Sequence, residues 1–478
     1  LKTLAVLALL VASATVTAGA DLSVQVWVRT TSESTQLPLI AGTKDWDSGT
    51  IEDYTTHHEL GLSRSSGALP GWALALQPDG SWCWNLGDGS NRLDYRPTPA
   101  RQPLNDGAWH HLAFSIDAAS NAAWLYHDGR SVAVYSTADL GDTAGAELRS
   151  GFDGTVDSLS VTQELLTAKD VATIWRAGRP GGDSVPPPAT APAPAPAAEP
   201  VTELNVLAWN IWHGGRRDGN ELGLLRTVAA IRASGADVIA MQETYGSGPA
   251  IADALGFSFH LRSSNLSVMS RFPIVAVHDL YEPFRLGGVT LELSPGQELT
   301  VFSLWIHYLP SLSSEVSPHN SADDIVAAEW ETRGSEARDI LKALAPHIAR
   351  SDEVPLIVAG DFNSPSHLDW TFSNRAIHSG RTVPWPVSVQ MDEAGFVDTY
   401  RVVHPDPREQ PGRTWSPRFL DAWQDRIDYI YTHGPLLAAF DAAMIDSVEL
   451  ETAEGLEARW PSDHAAVLGS FWISAPGR

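Results

Sequence analysis

Hydrophobic and polar positions fall into three regimes along the chain. In the first half apolar residues alternate with polar ones. Ser23-Val24-Gln25-Val26-Trp27-Val28 keeps period two, and Trp109-His110-His111-Leu112-Ala113-Phe114-Ser115 keeps it more loosely. This is the pattern of strands with one face in a core. Asp-Gly turns recur at Asp79-Gly80, Asp106-Gly107 and Asp128-Gly129. Short strands separated by such turns predict an all-β sandwich over residues 21–178.

The pattern stops at 179–200, where Gly181-Gly182, Pro186-Pro187-Pro188 and an Ala-Pro repeat run to Pro200. Such a segment buries too little apolar surface to fold, and its prolines favour a stiff, extended spacer. Residues 201–475 then alternate apolar runs with helical spacing. Val206–Ala208, Val238–Met241, Leu266–Ser270, Val289–Leu293, Val301–Leu304 and Leu356–Ala359 read as strands. Leu222, Leu225, Val228, Ala229 and Ile231 predict one helix face; Ala337, Ile340, Leu341 and Leu344 predict another. Alternating strands and helices predict an α/β sandwich.

The length of 478 residues suits two domains, and 43% hydrophobic with 19% charged residues suits globular protein. The formal net charge of −26 argues against a chain built to cling to long polyanions. Lysine occurs only at Lys2, Lys44, Lys169 and Lys342, and no Lys/Arg cluster marks a DNA groove. Cys83 is the only cysteine, which excludes an intrachain disulfide, and its apolar surroundings predict a buried, inert thiol. Residues 1–20 read as a signal peptide: Lys2, the apolar stretch Leu4–Val16, and Ala18-Gly19-Ala20 as the cleavage pattern. A secreted or periplasmic protein without a transmembrane segment is expected.

The chemistry gathers in the last regime. Asn210 follows the first strand, Gln242-Glu243 the next and His307 another. Gly360-Asp361-Phe362-Asn363, Arg426-Ile427-Asp428-Tyr429 and Ser462-Asp463-His464 come later. Strands ending in amides, carboxylates and imidazoles aim those groups at one rim. Phosphodiesters resist attack because the anion repels nucleophiles and the alkoxide leaves poorly; a divalent cation offsets both. Mg²⁺ takes oxygen ligands, and the chain shows no cysteine-rich or histidine-rich zinc spacing.

In this order, these motifs resemble the endonuclease/exonuclease/phosphatase superfamily, with Ser270-Arg271-Phe272-Pro273-Ile274 as a further landmark. The resemblance implies a four-layer α-β-β-α sandwich. It implies Glu243 as the principal Mg²⁺ ligand, with Mn²⁺ as a substitute, Asp463 as a second metal-side carboxylate, and Asn210 supporting metal and phosphate. His464 would activate or position the attacking water, with Asp428 orienting it. Asp361 would act on that water, and Asn363 would donate to phosphate oxygen. His307 would stabilise the leaving group or transition state and bind phosphate. Abasic-site endonucleases carry a tyrosine at the His307 position, which points away from that branch. Trp212 stands where they place an extra acidic residue.

Asp106-Gly107-Ala108-Trp109-His110-His111-Leu112, Leu125-Tyr126-His127-Asp128-Gly129 and Phe152-Asp153-Gly154-Thr155-Val156-Asp157 resemble the laminin-G-like, concanavalin-A-like jelly rolls. That resemblance implies a glycan or surface ligand and no catalysis. His110 and His111 are expected to be fold positions. Asp45, Asp47, Glu52 and Asp53 form an acidic group that reads first as a solvated loop, with a Ca²⁺ site as the alternative.

The combined expectation is a secreted, Mg²⁺-dependent phosphoester hydrolase, with a small organic phosphodiester preferred. Nuclease, sphingomyelinase-like and phosphomonoesterase activities stay open. So does a glycan-binding protein carrying an inert phosphatase-like scaffold. The loop Tyr308–Thr332 is a candidate for shaping substrate choice, as are His367 and Trp385, while Asp369 and Trp370 are expected to pack structurally, with a substrate role as the lesser alternative.

Overall fold

A computed structural model describes residues 20–46, 63–64, 69–179, 194–452, 455–457 and 459–474. Most of the expected signal peptide and linker, together with Asp47, Glu52 and Asp53, lie outside the described residues. Asp45 is described, and it pairs with Arg149 at 3.2 Å. Among the described residues no helix is long and apolar enough to cross a membrane.

The chain forms two compact units. One takes the described residues up to Pro194 together with Gly248–Ser264; the other takes Ala195–Ser247 and the described residues from Asn265 onward. The division is not a single cut in the sequence. In the first unit Ser258–Leu261 runs parallel to Arg130–Ser136, and Phe259 packs edge-on against Tyr135.

The first unit is a β-sandwich of the concanavalin-A-like kind. One sheet contains, in order, Thr155–Thr162, Leu22–Arg29, His110–Asp117, Ala122–His127 and Arg130–Ser136. The other contains Leu39–Gly42, Gly71–Leu76, Trp82–Gly87, Asn91–Tyr95 and Ser63–Arg64. Aromatic rings fill the space between them: Trp72 and Trp84 meet Phe114, and Trp84 and Tyr95 meet Tyr135. Cys83 lies fully inside, and burial pushes its thiol well above the usual range, as an inert core residue requires.

The second unit packs two sheets face to face. The first runs Ser267–Ser270, Val238–Gln242, Glu203–Asn210, Ala466–Ile473, Leu437–Ile445. The second runs Ile274–His278, Leu286–Ser294, Gln297–Trp305, Leu356–Asp361, Asp428–His433, Val397–Asp398. Gln242 Nε2 donates across the gap to Ser303 Oγ at 3.0 Å, and Ser303 Oγ donates to the Met241 carbonyl at 3.1 Å. Helices Arg333–Ile348 and Pro386–Glu393 cover the second sheet, placing Ala337, Ile340, Leu344, Val387 and Met391 against Phe302, Val358 and Tyr431. Each large side chain buried there contributes about 1.5–3 kcal/mol.

Glu203–Asn210 and Val238–Gln242 are parallel, so a crossover helix must join them, and Asn220–Ser234 does so. Its packed face differs from the expected one. Gly223, Arg226, Thr227, Val228, Ala230 and Ile231 are buried, whereas Leu225 is 55% exposed. The close approach of the Gly215 carbonyl to Gly223 and the Arg226–Asp218 ion pair rotate the face toward small and polar residues. The Tyr308–Thr332 connection also differs from an irregular loop, carrying helices Leu312–Glu315 and Ala322–Glu331.

Strand Leu356–Asp361 sits centrally in its sheet. Trp305 opposes Asp361 on one side and Asp428 opposes it on the other. Gly360 has φ +150, and a Cβ there would meet the Leu304 carbonyl at 2.1 Å and Gln242 Nε2 at 2.8 Å. Gly360→Ala is therefore expected to cost at least about 2 kcal/mol from strain and displaced backbone. Gly296→Ala, at φ +78 with nothing within 4 Å of the added carbon, should cost only about 1 kcal/mol. Equal urea midpoints for the two variants would refute the close-packing account.

Candidate active site

Three strand ends converge. Asn210 closes Glu203–Asn210, Asp361 closes Leu356–Asp361, and Asp428 opens Asp428–His433. All three are 1% exposed. Asn210 is the bridge: its Nδ2 donates to Glu243 Oε1 at 3.2 Å and to Asp361 Oδ2 at 3.1 Å. Its Oδ1 accepts the Trp212 backbone N–H at 3.0 Å, while its carbonyl accepts Ser462 Oγ at 2.6 Å. One amide thus ties the turn after its own strand to two carboxylates and to the Ser462-Asp463-His464 segment.

Glu243 follows its strand at φ +55, a conformation that favours glycine. Asn265 Oδ1 holds its backbone N–H at 2.8 Å, and Glu243 Oε2 accepts the His213 N–H at 2.8 Å. Asn363 is similarly held at φ +47. Its N–H donates to Asp361 Oδ1 at 2.9 Å, and its Nδ2 reaches the Ile306 carbonyl at 2.9 Å and Asp361 Oδ2 at 3.1 Å. The Asn363 amide is therefore turned toward the protein, where it orders Asp361. Left-handed backbone at non-glycine residues stores strain of about 1–3 kcal/mol, a feature that clusters at functional sites.

His464 Nδ1 lies 2.9 Å from Asp428 Oδ2. Its Nε2 lies 3.9 Å from Asp361 Oδ2 and 4.0 Å from Asp463 Oδ1, too far for direct hydrogen bonds. Burial opposes a charge on His464, but Asp428 and Asp361 outweigh it and hold the imidazole well above its usual range. Burial pushes Asp361 up to about 7; His464 opposes this and Asp428 adds to it. Asp463 is also raised, first by burial, with His464 opposing and Glu243 adding. Asp361 is the group poised to exchange a proton near neutrality.

The donor set fits a hard cation. Asp463 Oδ1 is buried without a hydrogen-bond partner, as is Asp428 Oδ1. Four carboxylates at one rim carry more negative charge than His464 balances. Asp361, Asp428 and His464 each offer a ligand atom within 4.8 Å of the others. Within that trio the 2.9 Å Asp428–His464 bond already accounts for the contact. Glu243 and the orphaned Asp463 oxygen are the oxygen donors at the half-buried edge, a donor type that suits a hard cation.

His307 lies just beyond Gln297–Trp305, with its N–H on Glu336 Oε2 at 3.0 Å and Glu336 held by Arg285 at 2.7 Å. The His307 ring bonds within its own turn, Nδ1 accepting the Leu309 N–H at 3.0 Å, and stacks on Tyr308. Its backbone neighbour Ile306 accepts from Asn363, which ties His307 to the rim.

After Asp361, the residues Asp369, Trp370 and Trp385 are internal and His367 is half-buried. Trp370 and Trp385 are buried, with Trp370 Nε1 on Asp425 at 2.7 Å. Asp369 joins Arg401 and Arg426, and Arg426 also forks onto Asp398 at 3.0 and 2.8 Å. His367 pairs with Ser388. Sequence patterning missed Thr414, whose Oγ1 accepts the Ile427 and Asp428 N–H groups, and Trp415, whose Nε1 reaches Asp463 Oδ2 at 3.4 Å. It missed Asn265 as well. Single polar residues in connecting segments carry no periodic signal. Beside Asn210, Trp212 meets Phe419 edge-on, with Arg217 and Arg418 over its ring.

Comparison with known proteins supplies the family. The endonuclease/exonuclease/phosphatase family model matches residues 207–464, and a concanavalin-A-like lectin/glucanase superfamily model matches residues 8–172. An uncharacterised Caenorhabditis elegans protein, F14F9.5, is 28% identical over 302 residues, covering 56% of this chain and 91% of that protein. Among solved structures, an endonuclease/exonuclease/phosphatase from Beutenbergia cavernae is 21% identical with TM-score 0.38, covering 57% of this chain and 72% of that one. The human Nocturnin catalytic domain with bound sulfate is 15% identical with TM-score 0.38, covering 57% and 95%. With its strand-end amides, carboxylates and imidazole gathered at one rim, the chain belongs to the endonuclease/exonuclease/phosphatase family, and a concanavalin-A-like domain precedes the matched region.

Proposed function

We propose that the protein is a divalent-metal-dependent phosphoester hydrolase, using Mg²⁺ and preferring a small organic phosphodiester. The observation that carries this reading is the Asn210-centred junction, where Glu243, Asp361 and the Ser462-Asp463-His464 segment meet beside the Asp428–His464 pair. Members of this family hydrolyse phosphoesters. Glu243 and Asp463, with Asn210 in support, would hold the cation, which when bound neutralises phosphate charge and stabilises the leaving oxygen.

The chain's own residues supply the rest. Asp428 orients His464 and favours its protonated form, so that Nε2 faces the gap toward Asp361 and Asp463. In this reading the reacting water and a phosphate oxygen sit against these groups. The water attacks phosphorus in line and gives its proton to Asp361, whose raised proton affinity suits a base near neutrality. His464 holds a developing phosphate charge. A P–O bond forms, the opposite P–O bond breaks, and the departing oxygen takes a proton from His307 Nε2, which solvent restores. Asn363 keeps Asp361 in position. The sparse lysines and the net charge of −26 favour a small substrate over a long polyanion. Export of the chain is part of the proposal and rests on the leader-like residues 1–20. N-terminal sequencing of secreted protein should begin at Asp21.

The direct assay compares bis-p-nitrophenyl phosphate with p-nitrophenyl phosphate in Mg²⁺. Faster diester turnover is expected, and it should vanish on chelation and return with Mg²⁺ or Mn²⁺. Full activity after exhaustive chelation would refute the metal role. His464→Ala should lower kcat by at least about 10²-fold, the lower range for removing a donor that stabilises transition-state charge. An unchanged rate would remove His464 from the chemistry. His307→Gln should spare p-nitrophenyl esters, whose phenolate leaves unaided, and slow an alkyl diester at least about tenfold. Equal losses on both substrates would count against leaving-group assistance.

A further inference from the structure

We propose that His110, His127 and Asp128, in the concanavalin-A-like unit, form a transition-metal site of the Zn²⁺ class. His110 opens strand His110–Asp117 and His127 ends strand Ala122–His127; the strands are antiparallel, with Leu112 opposite His127. Asp128 follows in the turn at φ +49. Its Oδ1 accepts the His111 N–H at 2.8 Å, which fixes the carboxylate. Its Oδ2 is left facing two imidazoles, 2.9 Å from His110 Nδ1 and 3.6 Å from His127 Nδ1. One ligand atom from each of the three residues lies within 4.8 Å of the other two.

The outer nitrogens supply an independent observation. His127 Nε2 lies 3.3 Å from the Pro103 carbonyl, which can only accept. The Nε2 therefore carries the proton, and the Nδ1 lone pair points inward. That Nδ1 is buried without a hydrogen-bond partner, on a side chain 1% exposed. An unpaired buried polar atom costs about 1–3 kcal/mol and calls for a partner. Asp128 Oδ2 cannot provide one, because both facing atoms are lone pairs. A cation between them satisfies both. His110 Nε2 is similarly held, 3.1 Å from Asp106 Oδ1. Imidazoles that bind metal through one nitrogen commonly donate the other N–H to a carboxylate or a carbonyl, and here each does so.

Two imidazole nitrogens and one carboxylate oxygen suit Zn²⁺ and its neighbours, whereas Ca²⁺ and Mg²⁺ prefer all-oxygen sets. On binding, His110 Nδ1 releases its proton to solvent and Asp128 Oδ2 exchanges a hydrogen bond for a metal bond. A water completes four-coordination on the side of Asp106 and Asp128, the more exposed members at 46% and 13%. The ion would clip the Pro103–Asp106 segment to the ends of two strands, a structural role with no catalytic step.

The test uses the full-length chain carrying Glu243→Gln, stripped of metal and kept in excess Mg²⁺, with Co²⁺ as the probe. One equivalent of Co²⁺ with visible d–d bands, displaced by Zn²⁺ and accompanied by a rise in Tm, is expected. His127→Gln should abolish it. Asp106→Ala, at a position 46% exposed, should weaken Co²⁺ binding about 10–100-fold by removing the acceptor that holds His110 Nε2. Absence of the equivalent in the parent chain, or undiminished Co²⁺ affinity in Asp106→Ala, overturns the proposal.

Discussion

The rim depends on the register of Leu356–Asp361 within its sheet. Asp361 stands opposite Trp305 on the parallel side and opposite Asp428 on the antiparallel side. A slip of one residue would turn Asp361 away from Asn210 and move every alternate apolar residue off its face. Gly360 makes the register strict, because the Leu304 carbonyl occupies the space a side chain would need. Backbone packing one residue before the carboxylate thus sets where that carboxylate points.

Grouping four carboxylates is costly in a dry interior, and the fold offsets the cost in named ways. Asn210 donates to two of them, Asn363 donates twice to Asp361, and His464 lies against Asp428. What these donors leave unmet is informative. Asp463 Oδ1 and Asp428 Oδ1 stay buried and unpaired, and Asp361 and Asp463 hold protons more tightly than ordinary carboxyls. A site in this condition gains from a cation or from bound protons, and both belong to phosphoester hydrolysis.

Behind the rim, buried ion pairs hold its supports. Arg426 spans Asp369 and Asp398 two residues ahead of Asp428, and Arg401 takes the other oxygen of Asp369. Arg333 joins Glu315 and Glu329, and Glu329 accepts Ser364, the residue after Asn363. Breaking either network would strand a buried charge, at a typical cost of about 3–5 kcal/mol. These pairs place the helices that follow His307 and the loop that follows Asn363. Asp369 and Trp370 belong to this scaffold.

The two-domain layout, the sandwich and α/β classes, and the motif-bearing strand ends were legible because period-two and helical patterns are local, and so are short motifs at strand ends. Asn210, Glu243, Asp361 and His464 could be named from those motifs alone. The helix face of Asn220–Ser234 could not, since a neighbouring carbonyl and an ion pair overrode its apolar pattern. Nor could Thr414, Trp415 and Asn265, whose value lies in hydrogen bonds to residues outside their own local pattern. The direction of the Asn363 amide and the inward lone pair of His127 were likewise settled only by long-range neighbours, Ile306 and Pro103. Sequence by itself determined which chemical groups reach the strand ends, because alternation and turns act over a few residues. Tertiary structure decided which of those groups face one another, because that depends on register and on hydrogen bonds between segments far apart in the chain.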